Sequence, residues 1–177
     1  YLKELNIGIA TVRAGNVIGG GDWAEDRLVP DILRTIASNS DMCIRNPDAT
    51  RPWQHVLEPL AGYILLAENL YNNPLKYSSA WNFGPEEGDI KPVSWIADQI
   101  LKNFPRSNWI KDNGNHPHEA SLLQLDISKS KNNLGWQPKW NIDQAIEKIL
   151  EWHLLYSEKT MSVKNLCLRQ IDDYINK

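Results

Sequence analysis

Apolar and polar positions along the chain alternate between two periods, and this pattern predicts an α/β architecture. Residues 7–18 are dominated by β-branched and small apolar side chains, which predicts a strand buried on both faces, with Arg13 and Asn16 toward its carboxyl end. Residues 1–6 read as the end of a helix running into that strand. Helical spacing follows over 27–37, with Pro30 in the first turn and Leu28, Ile32, Leu33 and Ile36 on one face. Residues 41–48 predict a short strand and turn. Residues 58–70 predict a mostly buried helix entered at Pro59, 80–83 a short strand, and 93–103 a helix after Pro92. Leu122–Asp126 has strand character, and 128–133 forms a short helix stopped at Gly135. The clearest amphipathic helix spans 142–156, where Ile142, Ala145, Ile146, Ile149, Leu150 and Trp152 recur on one face. The last segment, 161–177, has a weaker helical period.

Composition narrows the function. A net charge of −3 gives no global basic field for nucleic acid or an anionic membrane, so any bound anion must meet a few placed residues. No run approaches the roughly 20 apolar residues of a membrane span, and no signal-like start is present, which makes a cytoplasmic protein the expectation. Cys43 and Cys167 lack metal or redox spacing and read as reduced thiols. Eight tryptophans against two phenylalanines point either to flat contacts in the core or to a ring-stacking pocket.

A catalytic centre is not evident. No G-x-G-x-x-G fingerprint occurs, and no tyrosine has a lysine four positions later, the pairing that lowers a phenol's pKa for acid–base work. His116 and His118 stand two apart with Glu119 beside them, and His55 and His153 lie elsewhere, a poor basis for a metal site. What remains suits an anionic ligand. Arg27, Arg45 and Arg51 fall in loops or at element starts, and a guanidinium fork matches a diphosphate. Arg51 is expected to be held by Pro52 and Trp53. Asn16 and Gly19-Gly20-Gly21-Asp22-Trp23 lie where a strand's carboxyl end meets ligands, and the glycines there serve either a close backbone approach or a plain turn. Asn115, His116, His118 and Glu119 offer further hydrogen bonds; Asn82 serves either a ligand or a buried turn.

Read together, these segments resemble the C-terminal half of the extended short-chain dehydrogenase/reductases that modify nucleotide sugars. Arg13-Ala14-Gly15-Asn16-Val17-Ile18-Gly19 is similar to that family's Arg-x-x-Asn-x-x-Gly strand and turn, and Arg27-Leu28-Val29-Pro30 to its substrate-capping helix start. Arg51-Pro52-Trp53-Gln54-His55-Val56 resembles its Arg-Asp-Trp-x-x-Val segment, with Pro and His where most members carry Asp and Tyr. Trp81-Asn82-Phe83-Gly84 resembles Tyr-Asn-Ile-Gly, and Asp126-Ile127-Ser128-Lys129 with Leu134-Gly135-Trp136-Gln137-Pro138 resembles Asp-x-x-Lys and Leu-Gly-Trp-x-Pro.

The resemblance implies that residues 1–177 are the C-terminal, substrate-nucleotide-binding portion of a longer enzyme. It would hold the last strands of a Rossmann-type parallel sheet plus a smaller, mostly helical substrate domain. An NAD-binding half and the catalytic residues are then expected upstream of Tyr1, and the chain alone is expected to be inactive. Within the family the likeness is greatest to the 4,6-dehydratases of CDP-sugars, which implies a CDP-sugar substrate, bound NAD and a homo-oligomeric parent. Asn16, Arg27, Leu28, Arg45, Arg51, Asn82, Asn115, His116, His118 and Glu119 are the implied substrate-binding residues. A dTDP-, UDP- or GDP-sugar enzyme stays open, as does a non-catalytic nucleotide-sugar-binding protein.

Overall fold

The computed structural model describes residues 6–114 and 120–177. Three small sheets and their helices form the described fold. β1 (Thr11–Ala14) pairs in parallel with β5 (Ala80–Phe83), β2 (Asn16–Ile18) in parallel with β4 (Thr50–His55), and β3 (Asp41–Ile44) in parallel with β7 (Asn108–Lys111). A short β6 (Ile90–Pro92) closes the second sheet antiparallel to β4. The helices are α1 (Leu28–Ser38), α2 (Leu57–Asn72), the single turn α3 (Pro74–Tyr77), α4 (Val93–Leu101), α5 (Ser128–Leu134), α6 (Ile142–Ser157) and α7 (Val163–Ile175).

The strand expected over 7–18 divides at Gly15, and the cause is local. A Cβ at Gly15 would lie 2.3 Å from the Pro52 carbonyl oxygen, so only glycine lets the chain leave β5 and join β4 there. Burial on both faces is also corrected. Ile7 and Ile9, ahead of β1, are 46% and 53% exposed and Val12 within it is 40% exposed, and β1 has a strand neighbour on one side only among the described residues. A second correction concerns Leu122–Asp126, where periodicity predicted a strand. Only one bridge forms, between Leu122 and Thr50. The third correction is α2, expected to be mostly buried, whose Leu60 and Ile64 face outward.

Two cores hold the fold. Ile18 and Trp53 join the inner faces of α1, α4 and α6, including Ile32, Ile96, Ile100 and Ile149, in the larger core. Phe83, Trp81 and Leu66 pack with Ile127, Leu134 and Trp136 in the smaller. Gly62 admits α2 onto Phe83, since a Cβ there would approach the ring to 2.2 Å. Buried Gln54 links the two cores by donating from Nε2 to the Phe83 carbonyl at 2.8 Å.

Helix ends follow their local sequence. Asn39 ends α1 in the left-handed region and Gly135 ends α5 the same way. Asn141 and Gln144 form a reciprocal capping box at the start of α6. The weakly periodic tail forms α7, which buries Leu166, Gln170 and Tyr174. The tryptophan excess resolves mainly into core: Trp53, Trp81, Trp136, Trp140 and Trp152 are all buried, whereas Trp23 is 49% exposed.

Candidate functional site

The carboxyl end of β2 and the amino end of α1 converge on a cavity of about 540 Å³, a size that suits a small-molecule ligand. Asn16, Arg27, Leu28, Arg45 and Arg51 all line it. Five of the expected substrate-binding residues, spread along the sequence from Asn16 to Arg51, are thus brought together. Trp53, paired in register with Asn16, supplies an apolar wall with Leu28 and Val93. The first turn of α1 opens into the cavity, so its partial positive charge adds to that of the arginines.

Each arginine is held differently. Arg27 precedes α1 in extended conformation, and its Nη1 meets Asp22 Oδ2 at 3.1 Å with most of the side chain exposed. Arg45 follows β3 and is exposed. Arg51 is at an element start, as the second residue of β4, and is only 7% exposed. Its Nη1 donates to the Thr50 and Ala120 carbonyls at 2.9 and 2.8 Å. Those carbonyls, not merely the stiffness of Pro52 and the bulk of Trp53, fix the guanidinium.

Asn82 does not line this cavity. Its Nδ2 donates to the Asp126 carbonyl at 3.0 Å, and its own carbonyl accepts from Ser130 Oγ at 2.6 Å. These contacts tie β5 to the entry of α5 and favour the turn reading. Asn115, His116, His118 and Glu119 lie outside the described residues, although Ala120, next in sequence, reaches Arg51.

The three glycines after β2 serve packing more than ligand approach. A Cβ at Gly20 would sit 2.3 Å from Trp152 Cγ, and one at Gly19 would sit 2.8 Å from Val56 Cγ1. Gly21 takes φ +79° over the Trp152 ring. Trp23 then packs on Tyr156 and Trp152, with centroids at 5.3 and 6.2 Å. The loop is thereby seated on α6, and Gly19 remains at the cavity wall.

Three aspartates share the lining with the three arginines. The sequence places Asp22 in a functional loop but does not single out Asp26 or Asp31. The available signal was their position around the first turn of α1, which the fold directs at the same space. Asp31 is paired with Arg34.

Two further ionisable groups are buried behind the wall, where β4 meets α6 and α7. His55 is kept from protonation by burial first and by the Lys148 charge second, with its pKa lowered to about 4. Burial raises the Glu58 carboxyl above its ordinary range, opposed by hydrogen bonds from the Trp140 and Lys139 amides and the Tyr174 hydroxyl. Both face the core and neither lines the cavity.

No protein-family model matches the chain. Over 176 residues it is 48% identical to CDP-glucose 4,6-dehydratase of Salmonella typhimurium, an alignment covering 98% of this chain and 48% of that protein. A more distant likeness, 20% identity over 154 residues, links it to UDP-glucuronic acid decarboxylase 1 of Danio rerio, covering 86% of the chain and 35% of the relative. The chain therefore spans about half the length of the first of these and about a third of the second. Among solved structures, UDP-glucose-4-epimerase from Stenotrophomonas maltophila, with bound NAD and formylated UDP-arabinopyranose, superposes with a TM-score of 0.73 at 17% identity, covering 89% of this chain and 52% of that one. The dTDP-glucose 4,6-dehydratase of Bacillus anthracis in complex with NAD gives a TM-score of 0.68 at 17% identity, covering 94% and 50%.

The chain has the fold of the extended short-chain dehydrogenase/reductases. Within that fold, β1 and β5 are strands of the Rossmann-type parallel sheet, and the cavity lies beyond the point where the chain crosses from β1 into β2. The described residues do not fit NAD on their own. Their one glycine-rich turn is filled by Trp152 and Val56, and no glycine fingerprint follows a strand. Among the described residues no helix is long and apolar enough to cross a membrane, and no group of three or more His, Cys, Asp or Glu side chains is arranged to hold a metal ion.

Proposed function

We propose that this chain is the C-terminal, substrate-nucleotide-binding portion of a nucleotide-sugar 4,6-dehydratase whose substrate is CDP-glucose. The observation that carries this reading is the 48% identity to a CDP-glucose 4,6-dehydratase, sustained over 98% of the chain. The cavity is consistent with it. Arg27, Arg45 and Arg51 supply the diphosphate's counter-charge, and Trp53 and Leu28 wall the space with apolar surface that strengthens those interactions by lowering the local dielectric. Asn16 offers a hydrogen bond beside them, and Asn115, His116, His118 and Glu119 are assigned to the same ligand.

The remaining half of the parent protein holds NAD and the acid–base groups in this reading, so no chemical step is assigned to residues of this chain. The open edge of β1, with Ile7, Ile9 and Val12 exposed, supports further strands pairing there in the whole protein. The parent is proposed to work as a cytoplasmic homo-oligomer.

The test is to incubate the full-length protein and NAD separately with CDP-, dTDP-, UDP- and GDP-glucose and follow loss of one water by mass spectrometry. Turnover of CDP-glucose is the expected result. Turnover of another nucleotide sugar in its place would overturn the CDP assignment, and turnover of none would overturn the dehydratase assignment.

A further inference from the structure

We propose that Asp22 is a built-in competitor for the Arg27 guanidinium and thereby sets how tightly the cavity holds a nucleotide diphosphate. The inference rests on reading the cavity as a diphosphate site. Both residues line it, five positions apart across the loop from β2 to α1. Asp22 Oδ1 accepts the Ala24 amide at 3.0 Å, which anchors the carboxylate to its own loop. Its other oxygen, Oδ2, takes Arg27 Nη1 at 3.1 Å. A phosphate oxygen approaching Arg27 therefore meets a donor already engaged by a group of the same sign and chemistry.

The two partners differ in freedom. The Asp22 loop is seated by Gly20 and Gly21 on Trp152 and by Trp23 on Tyr156, so the carboxylate has little room to withdraw. The Arg27 side chain is 64% exposed and free to swing toward a ligand. Binding then exchanges one anion for another on Arg27 and leaves the Asp22 charge facing the newcomer. A ligand that engages only Arg27 gains little from this exchange. One that also reaches Arg45 and Arg51 gains enough to bind. Asp26 and Asp31 share the cavity, but Asp31 is held by Arg34, outside the lining.

The experiment measures CDP binding to the full-length protein by titration calorimetry for wild type, Asp22→Asn, Arg27→Ala and the double variant. Asparagine keeps an oxygen for the Ala24 amide, and removes the charge together with the Oδ2 acceptor that Arg27 uses. Asp22→Asn is expected to tighten CDP about two- to five-fold at low salt, the range of an exposed ion pair. That gain should shrink in about 0.5 M salt and be smaller when Arg27 is alanine, where only the direct repulsion between Asp22 and the diphosphate is relieved. Weaker or unchanged CDP binding by Asp22→Asn, or equal tightening without Arg27, would overturn the competitor role while wild-type binding still upholds the diphosphate site. Failure of wild type to bind CDP would overturn both.

Discussion

Acidification should weaken this fold through His55, by an amount that follows from its burial. His55 lies on β4 with no exposed surface; its Nδ1 accepts the Leu57 amide at 3.3 Å, and its ring meets Trp140 edge-on at 4.8 Å. Among the described residues its Nε2 is buried without a hydrogen-bond partner, so a second proton would bring a charge into an apolar setting. Burial, and then the positive charge of Lys148, lowers the imidazole pKa to about 4. The unfolded chain takes up that proton near the ordinary value of about 6.5. Between these values the folded state binds fewer protons, so the stabilising contribution is complete above about 6.5 and is lost as pH falls through the window toward about 4. Roughly 2.5 units at about 1.36 kcal/mol each give ~3 kcal/mol.

Glu58, three residues on in the first turn of α2, acts in the opposite sense. Its raised carboxyl pKa makes its contribution complete below the ordinary carboxylate range and lost as pH rises through the folded value. A wild-type curve sums the two effects, and His55→Gln separates them by keeping an acceptor near the Leu57 amide without titrating. Urea unfolding at stepped pH is the assay. From about pH 7 to about pH 4.5 wild type should lose on the order of 2–3 kcal/mol relative to the variant. Parallel stability curves across that interval would refute the argument.

Four other substitutions have expected outcomes. Arg45→Ala, at an exposed position, should weaken CDP binding to the full-length protein by ~1 kcal/mol without shifting its melting temperature; Arg51→Ala should weaken it by about 1.5–3 kcal/mol and also lower the melting temperature, since the Thr50 and Ala120 carbonyls lose their donor. Calorimetry and thermal unfolding read these separately, and unchanged affinity in both variants would remove the diphosphate assignment. Gly20→Ala should cost about 1–3 kcal/mol, because its Cβ would fall 2.3 Å from Trp152, and should alter the emission of Trp23; an unperturbed denaturation midpoint would show that the loop is not seated on α6. Tyr174→Phe removes the 2.8 Å hydrogen bond to buried Glu58 and should cost about 1–3 kcal/mol, with faster amide exchange across α7; unchanged exchange would mean that apolar contacts such as Leu166 hold the helix alone.

What the sequence revealed depended on whether the deciding interaction was local. Pro and Gly punctuation and helical spacing located α1, α4, α5 and α6 to within about two residues, because caps and apolar faces are written into adjacent positions. The strand at 7–18 was found, but its division and exposure were not. Its division at Gly15 depends on a carbonyl 37 residues later (52 − 15), and its exposure depends on which strands lie beside it. Periodicity likewise could not see that Leu122 meets one residue of β4 and then departs.

The candidate site shows the same division. Arginine chemistry picked out three cavity residues, since guanidinium groups near glycine- and proline-rich turns carry information without the fold. Asn82 is of the same chemical type, yet β5 ends on the Rossmann side of the crossover, and its Nδ2 donates to the Asp126 carbonyl while its Oδ1 is buried with no partner among the described residues. Asp31 carries no distinguishing signature in the sequence, because an aspartate in a first helical turn ordinarily serves the helix dipole, and Asp26 reads as part of the loop that precedes the helix. The chain crosses between sheets at Gly15, Gln54 bonds across to Phe83 beside it, and the first turn of α1 lines the same cavity as Arg45 and Arg51. The balance of charge in the cavity is therefore a property of the junction between the two sheets, and substitutions at Gly15 or Gln54 should disturb ligand affinity although neither residue lines the site.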